Sequence, residues 1–288
     1  MFKDYYSLTK PRICMLVLVT AYLGYYMGLR HVGSYMLSSS EWITFFYLIM
    51  GTLLSSAGAC ALNQAIEYQS DAKMDRTSSR PIPMGKISPL NGYIFGIVLS
   101  LLGVILLYIM ISSLVAFLSF LTIFTYIFIY TPMKKVTYLN TLIGAIPGAL
   151  PPIGGWFAAT SETSSIVTAL FGIMFCWQIP HFLSLAYMYS QDYKKGGFIM
   201  LPSLYSNQVQ TRVHIVFFTL CLIFITFSLY YNKAVGNIYL LGNIFLSLLF
   251  IYYVSKFTFS VNQKTAKGLF FASILYLPVL LVLVIINS

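Results

Sequence analysis

The chain has 288 residues, 59% of them hydrophobic and only 8% charged, with a mean hydropathy of +0.82 and a formal net charge of +10. A soluble domain carries about 25% charged residues, so this composition excludes an ordinary globular enzyme and points to the bilayer. The positive charge calls for no nucleic acid, because the placement of the basic residues along the chain accounts for it.

Apolar runs of the length that crosses a bilayer, about 20 residues, recur along the whole sequence. Nine are read: 13–28, 42–62, 93–111, 114–130, 139–159, 166–189, 213–231, 238–253 and 268–286. The first and eighth are short, and only Ser112-Ser113 separates the third from the fourth. Nothing resembling a small-residue cleavage site follows the first run, and no Arg- and Ser-rich transit segment precedes it, so a bacterial plasma membrane is expected.

With the N-terminus cytoplasmic, the inner segments hold Lys3, Lys10, Arg12, Lys73, Arg76, Arg80, Lys86, Lys134, Lys135, Lys194, Lys195, Arg212, Lys256, Lys264 and Lys267. The outer segments hold Arg30 and Lys233 alone. Removing or adding one span would scramble this asymmetry, which is the positive-inside pattern. The expected fold is therefore an all-α integral membrane protein, N-terminus cytoplasmic, with its two longest polar stretches, residues 69–89 and 190–212, on the cytoplasmic side. Each follows a long span, opens on acids, continues with bases and ends at prolines, which hints at an internal repeat.

The second run ends in Asn63, Glu67, Asp71 and Asp75, four residues apart, followed at once by Arg76 and Arg80. Three of the chain's seven acids lie here. A four-residue step turns only about 40° past a full circle, so these side chains share one helix face. Glu67 and Asp71 are then like charges one turn apart, and no Lys or Arg lies three or four residues from either. A bound cation is the simplest relief, and hard oxygen donors suit Mg²⁺. Bases in the same loop point further, to a metal that carries an anionic ligand, since arginine forks match phosphate oxygens.

The second polar stretch holds Asp192 beside Lys194 and Lys195, with His181 eleven residues earlier. Three turns of helix would place His181 toward the membrane interior on a similar face, where it is either a kink residue beside Pro180 or a ligand. Cys14, Cys60, Cys176 and Cys221 are scattered in or beside apolar runs without a Cys-x-x-Cys pair and read as packing residues. The 23 Tyr and 23 Phe supply interfacial belts, and some of their faces suit a transient cation.

These residues together resemble the UbiA superfamily of intramembrane prenyltransferases, and within it the protoheme IX farnesyltransferase (haem O synthase) branch. The most specific part is Asn63-Gln64-x-x-Glu67-x-x-x-Asp71-x-x-Met74-x-Arg76-Thr77-x-x-Arg80-Pro81. It is accompanied by Leu8-Thr9-Lys10-Pro11-Arg12, Tyr130-Thr131 with Lys134, Pro151-Pro152 with Gly155-Trp156, Pro180-His181-Phe182, and Asp192-Tyr193 with Met200-Leu201-Pro202. The resemblance implies a single UbiA-like domain over residues 1–288, with nine helices around a central cavity capped by the two loops. It implies Mg²⁺-dependent transfer of a farnesyl group from farnesyl diphosphate to a vinyl group of haem B, giving haem O and diphosphate.

On that resemblance Asn63, Glu67, Asp71 and Asp192 would be catalytic metal ligands. Arg76, Arg80, Lys134 and Lys194 would contact diphosphate, and His181 the haem. A haem A synthase or cytochrome oxidase assembly factor would be the protein partner. The residue four before Asp192 is Met188, where many superfamily members carry a second acid. Two other readings stand beside this one: a UbiA-type enzyme acting on an aromatic or quinone precursor, and a transporter of phosphorylated lipid.

Overall fold

The computed structural model describes residues 2–288, which form helices and turns with no strand among the described residues. In chain order the helices are α1 (Phe2–Leu8), α2 (Pro11–His31), α3 (Ser39–Asp71), α4 (Pro89–Met110), α5 (Ser113–Phe124), a π-helical turn (Thr125–Tyr130) and α6 (Thr131–Met133). They continue as α7 (Asn140–Ala149), α8 (Pro151–Ala159), α9 (Ser165–Met188), α10 (Ser190–Lys195), α11 (Leu201–Leu204), α12 (Val209–Tyr231), α13 (Asn237–Phe259) and α14 (Gln263–Asn287). Nine stretches among them are long and apolar enough to cross a membrane, and each coincides with an expected run. The first and eighth gain length because helix continues through polar ends, to Pro11–His31 and Asn237–Phe259.

Local chemistry sets the helix ends. Ser38 opens α3 with a capping box closed by Glu41, and Ser88 and Ser112 cap α4 and α5 through their hydroxyls. Pro151 sits in the first turn of α8 and divides the fifth span from α7, since a proline offers no N–H to continue the ladder. At 33 residues α3 is about 50 Å long, against about 30 Å of hydrocarbon, so it carries its last turns beyond the apolar layer.

Lipid supplies no hydrophobic force between helices, so close packing must hold them. Gly51, Ser55 and Gly58 on α3 face Gly96, Ser100 and Gly103 on α4, and a side chain at Gly58 would meet the Gly96 carbonyl oxygen at 2.6 Å. Helices α2 and α8 approach likewise, a side chain at Gly155 falling 1.9 Å from the Ala21 carbonyl oxygen. The largest buried cluster joins α9, α12, α13 and α14 and reaches Leu23 and Met27 of α2 and Trp156 of α8. This frame brings the C-terminal end of α3, the α1–α2 junction, the α6 turn and the residues after α9 to one end of the bundle.

Candidate active site

Asn63, Glu67 and Asp71 all lie within α3 and all are buried. Each meets a cation from elsewhere in the chain. Lys10 Nζ donates to Asn63 Oδ1 at 3.0 Å, Lys134 Nζ to Glu67 Oε1 at 2.8 Å, and Arg80 Nη1 to Asp71 Oδ2 at 2.6 Å. The like charges one turn apart are thus relieved by two bases that no local spacing reveals, which corrects the expectation that only a bound ion does so. Successive rungs of this ladder are about 6 Å apart along the helix axis. Asn63 and Asp71, separated by about 12 Å, therefore do not converge on one ion. In agreement, no cluster of three His, Cys, Asp or Glu side chains with metal-site geometry occurs among the described residues.

The π-turn at Thr125–Tyr130 positions the opposite wall. A π-turn inserts one residue into the helical ladder and re-aims the side chains beyond it, a feature often found at functional sites. Here Thr131 Oγ1 donates to the Tyr126 carbonyl at 2.8 Å and accepts from Asn63 Nδ2 at 3.2 Å. Tyr126 and Tyr130 stack with ring centroids 5.5 Å apart, and the Lys134 ammonium lies 4.5 Å over the Tyr130 ring.

Lys10 belongs to this site, although the chemistry of the first stretch did not single it out. It occupies the turn between α1 and α2 with φ +48°, and Pro11 after it starts α2. That turn swings its side chain onto α3. Burial pulls its pKa down to about 8, and the neighbouring positive charge of Arg80 adds to the effect. A lysine driven toward neutrality in this way marks a pocket short of negative charge.

The second acidic position is used differently. Asp192 is buried on α10, and its oxygens accept the backbone N–H groups of Asp75 at 3.2 Å and Arg76 at 3.1 Å. Asp75 is exposed and pairs with Lys195 at 2.6 Å, so its partner is neither Arg76 nor Arg80. Arg76 donates to Tyr193 Oη at 3.2 Å and lies over the rings of Tyr189 and Tyr193. Lys194 is exposed and, among the described residues, its ammonium meets no partner, so the structure does not bring it into the ladder.

His181 stands apart from both groups. Its Nδ1 is 2.8 Å from Ser273 Oγ of α14, and its ring is sandwiched between Trp177 and Phe270 at centroid distances of 4.9 and 4.8 Å. These contacts make it a packing residue of the α9–α14 seam, the first of its two sequence readings.

Comparison with known proteins places this geometry. The model of the UbiA prenyltransferase family matches residues 17–275. The chain belongs to the UbiA prenyltransferase family. Its relatives include the protoheme IX farnesyltransferase of Solibacter usitatus, 36% identical over 99% of this chain and 98% of that protein. Another is the protoheme IX farnesyltransferase of Salinibacter ruber, 36% identical over 100% and 99% of the two chains. Among solved structures, a digeranylgeranylglyceryl phosphate synthase superposes with a TM-score of 0.80 at 19% identity, over 99% of this chain and 98% of its own. A UbiA homologue from Archaeoglobus fulgidus bound to DMAPP and Mg²⁺ superposes with a TM-score of 0.62 at 16% identity, over 98% and 99%. At such identities these two likenesses establish the shared UbiA fold. The protein is thus a multi-pass membrane member of a family of transferases.

The donor chemistry fits the divalent metal with which that homologue was solved. An amide oxygen and two carboxylates are hard donors, and Lys134 and Arg80 each engage one oxygen of their carboxylate.

Proposed function

We propose that this UbiA prenyltransferase transfers a farnesyl group from farnesyl diphosphate to a vinyl group of haem B, forming haem O. The whole chain would act as one unit, with the loop-bearing end of the bundle facing the cytoplasm. One observation carries the reading: three cations, Lys10, Lys134 and Arg80, stand on a buried ladder of oxygen donors. Such a site is suited to a metal–diphosphate at the polar end of an apolar bundle. The acceptor is taken from the relatives named protoheme IX farnesyltransferase, which match this chain over nearly its full length.

The chemistry follows from charge. Mg²⁺ held by Glu67 and Asp71, with Asn63 beside them, would offset the charge that gathers on the departing diphosphate. Arg80, Lys134 and Lys10 bind diphosphate oxygens, and Arg76 waits at the rim. The allylic C–O bond breaks with its electron pair leaving on diphosphate, and the donors around it lower the barrier because they are already oriented. Tyr126 and Tyr130 offer π faces to the farnesyl cation. The vinyl π pair then forms the new C–C bond. Water captures the cation left beside the porphyrin and loses a proton, which gives the hydroxyethylfarnesyl side chain. Until that step the apolar wall keeps water from the first cation.

The test is direct. Purified protein in lipid receives Mg²⁺ and farnesyl diphosphate with either haem B or 4-hydroxybenzoate, and the product mass is read. The reading requires the haem O mass from haem B only, and its loss on chelation with EDTA. Product from 4-hydroxybenzoate alone reassigns the acceptor, and EDTA-insensitive turnover removes the metal.

A further inference from the structure

We infer that Asp192 is a positioning residue that fastens the loop after α3 over the ladder, rather than a ligand of the metal. The inference rests on the diphosphate reading above, since the loop it fastens carries Arg76 and Arg80. Its two carboxylate oxygens accept two successive backbone N–H groups, those of Asp75 and Arg76, at 3.2 and 3.1 Å. Successive N–H groups pointing the same way form an anion-binding concavity, and Asp192 fills it. Were the carboxylate to turn toward a metal, both N–H groups would lose a charged acceptor, and unsatisfied donors at a partly buried position are costly.

Three further contacts bind the same two segments. Lys195 pairs with Asp75 at 2.6 Å, and Tyr193 Oη accepts from Arg76. Met74 packs with Phe198 and Met200, at a point where a side chain on Gly196 would stand 2.9 Å from its sulfur. Residues 192–200 are themselves braced to the ladder's opposite wall, because Ile199 N donates to the Lys134 carbonyl at 2.7 Å. Asn140 Nδ2 in turn donates to the Ile199 carbonyl at 2.7 Å. Asp192 thus sits at the centre of a cross-brace that runs from the Lys134 segment to the Arg76–Arg80 segment. Its sequence setting agrees, since a lone acid with Met188 one turn before it makes a poor metal site.

The decisive variant is Asp192→Asn in the full-length protein in nanodiscs. An amide has one oxygen and one NH₂, so it satisfies one of the two N–H groups and faces the other with a donor. Three quantities are read without any acceptor present: hydrogen exchange over residues 72–80, binding of labelled farnesyl diphosphate, and the Mg²⁺ concentration that half-saturates that binding. The positioning role requires exchange in 72–80 to quicken and diphosphate binding to weaken, each about tenfold, while the Mg²⁺ midpoint stays within about twofold. A Mg²⁺ midpoint raised about tenfold with exchange unchanged makes Asp192 a metal ligand and overturns the inference. Should the variant not fold, Tyr193→Phe removes only the hydroxyl that holds Arg76. It is expected to weaken diphosphate binding about threefold at an unchanged Mg²⁺ midpoint, and unchanged binding would overturn the inference. Because no haem enters these measurements, a wrong acceptor in the proposed function leaves them readable.

Discussion

The two long polar stretches follow the same sequence pattern, acid then base then proline, and meet at one end of the bundle, yet their acids do different work. Glu67 and Asp71 are partnered by side-chain cations, Lys134 and Arg80, which can move to a ligand when one arrives. Asp192 is partnered by backbone N–H groups, which are fixed in place. A carboxylate with a mobile partner is exchangeable chemistry, and a carboxylate on the backbone is scaffolding. The strongest way to break that distinction is Asp71→Ala. It should insert and accumulate in the membrane like the parent while haem O formation falls about 10²- to 10³-fold, the usual cost of removing one preorganised group. Near-normal product by mass spectrometry would leave the first stretch no more chemical than the second.

Arg80→Ala sharpens the comparison from the cationic side. It strips the partner from a fully buried carboxylate and removes a diphosphate contact at once. The Michaelis constant for farnesyl diphosphate should rise about tenfold, as for a lost charged hydrogen bond. The Mg²⁺ midpoint should stay level or fall, because Asp71 without its arginine attracts a cation more strongly. An unchanged Michaelis constant would make Arg80 a counter-ion of the resting protein and nothing more.

Much of this was legible in the sequence. Hydropathy and basic-residue placement located all nine spans, because in lipid both the length and the polarity of a segment are forced. The four-residue spacing put Asn63, Glu67 and Asp71 on one face of one helix, as found. Their partners were not legible. Lys10 and Lys134 arrive from 53 and 67 residues away, and local spacing carries no trace of that. The π-turn was equally hidden, since Thr125-Tyr-Ile-Phe-Ile-Tyr130 has the composition of any apolar helix. Asp192 escaped for a third reason: its acceptor role concerns backbone groups, which every residue but proline possesses. Lys194 and Lys195 are neighbours on a helix about 100° apart, so composition alone could not choose the one that reaches Asp75.

Lys10 extends the comparison to stability, with two effects of opposite sign. Its pKa lies at about 8, pulled down by burial first and by Arg80 next. In the unfolded chain it titrates near its ordinary value, so the unfolded state binds more protons between about pH 8 and that value. Stability therefore rises with pH across this window, and at neutral pH the folded protein carries the cost of a charged, crowded lysine. Lys10→Met should raise the unfolding temperature at pH 7 by a few degrees and weaken farnesyl diphosphate binding about fivefold. Thermal unfolding and ligand titration on the same preparation read both effects. A variant that loses stability instead would show that the contact with Asn63 outweighs desolvation.

The smallest effect belongs to the pair that looks best on distance alone. Lys195 and Asp75 approach to 2.6 Å, as close as Arg80 and Asp71, but their side chains are 51% and 79% exposed, against 27% and 1% for Arg80 and Asp71. Water and salt screen such a pair, its formation immobilises two flexible side chains, and its net value is typically below about 1 kcal/mol. Lys195→Ala should therefore leave farnesyl diphosphate binding within about twofold, with what change there is vanishing at high salt. A larger loss that persists at high salt would mean that the exposed pair, and not the buried carboxylate beside it, carries the junction of the two loops.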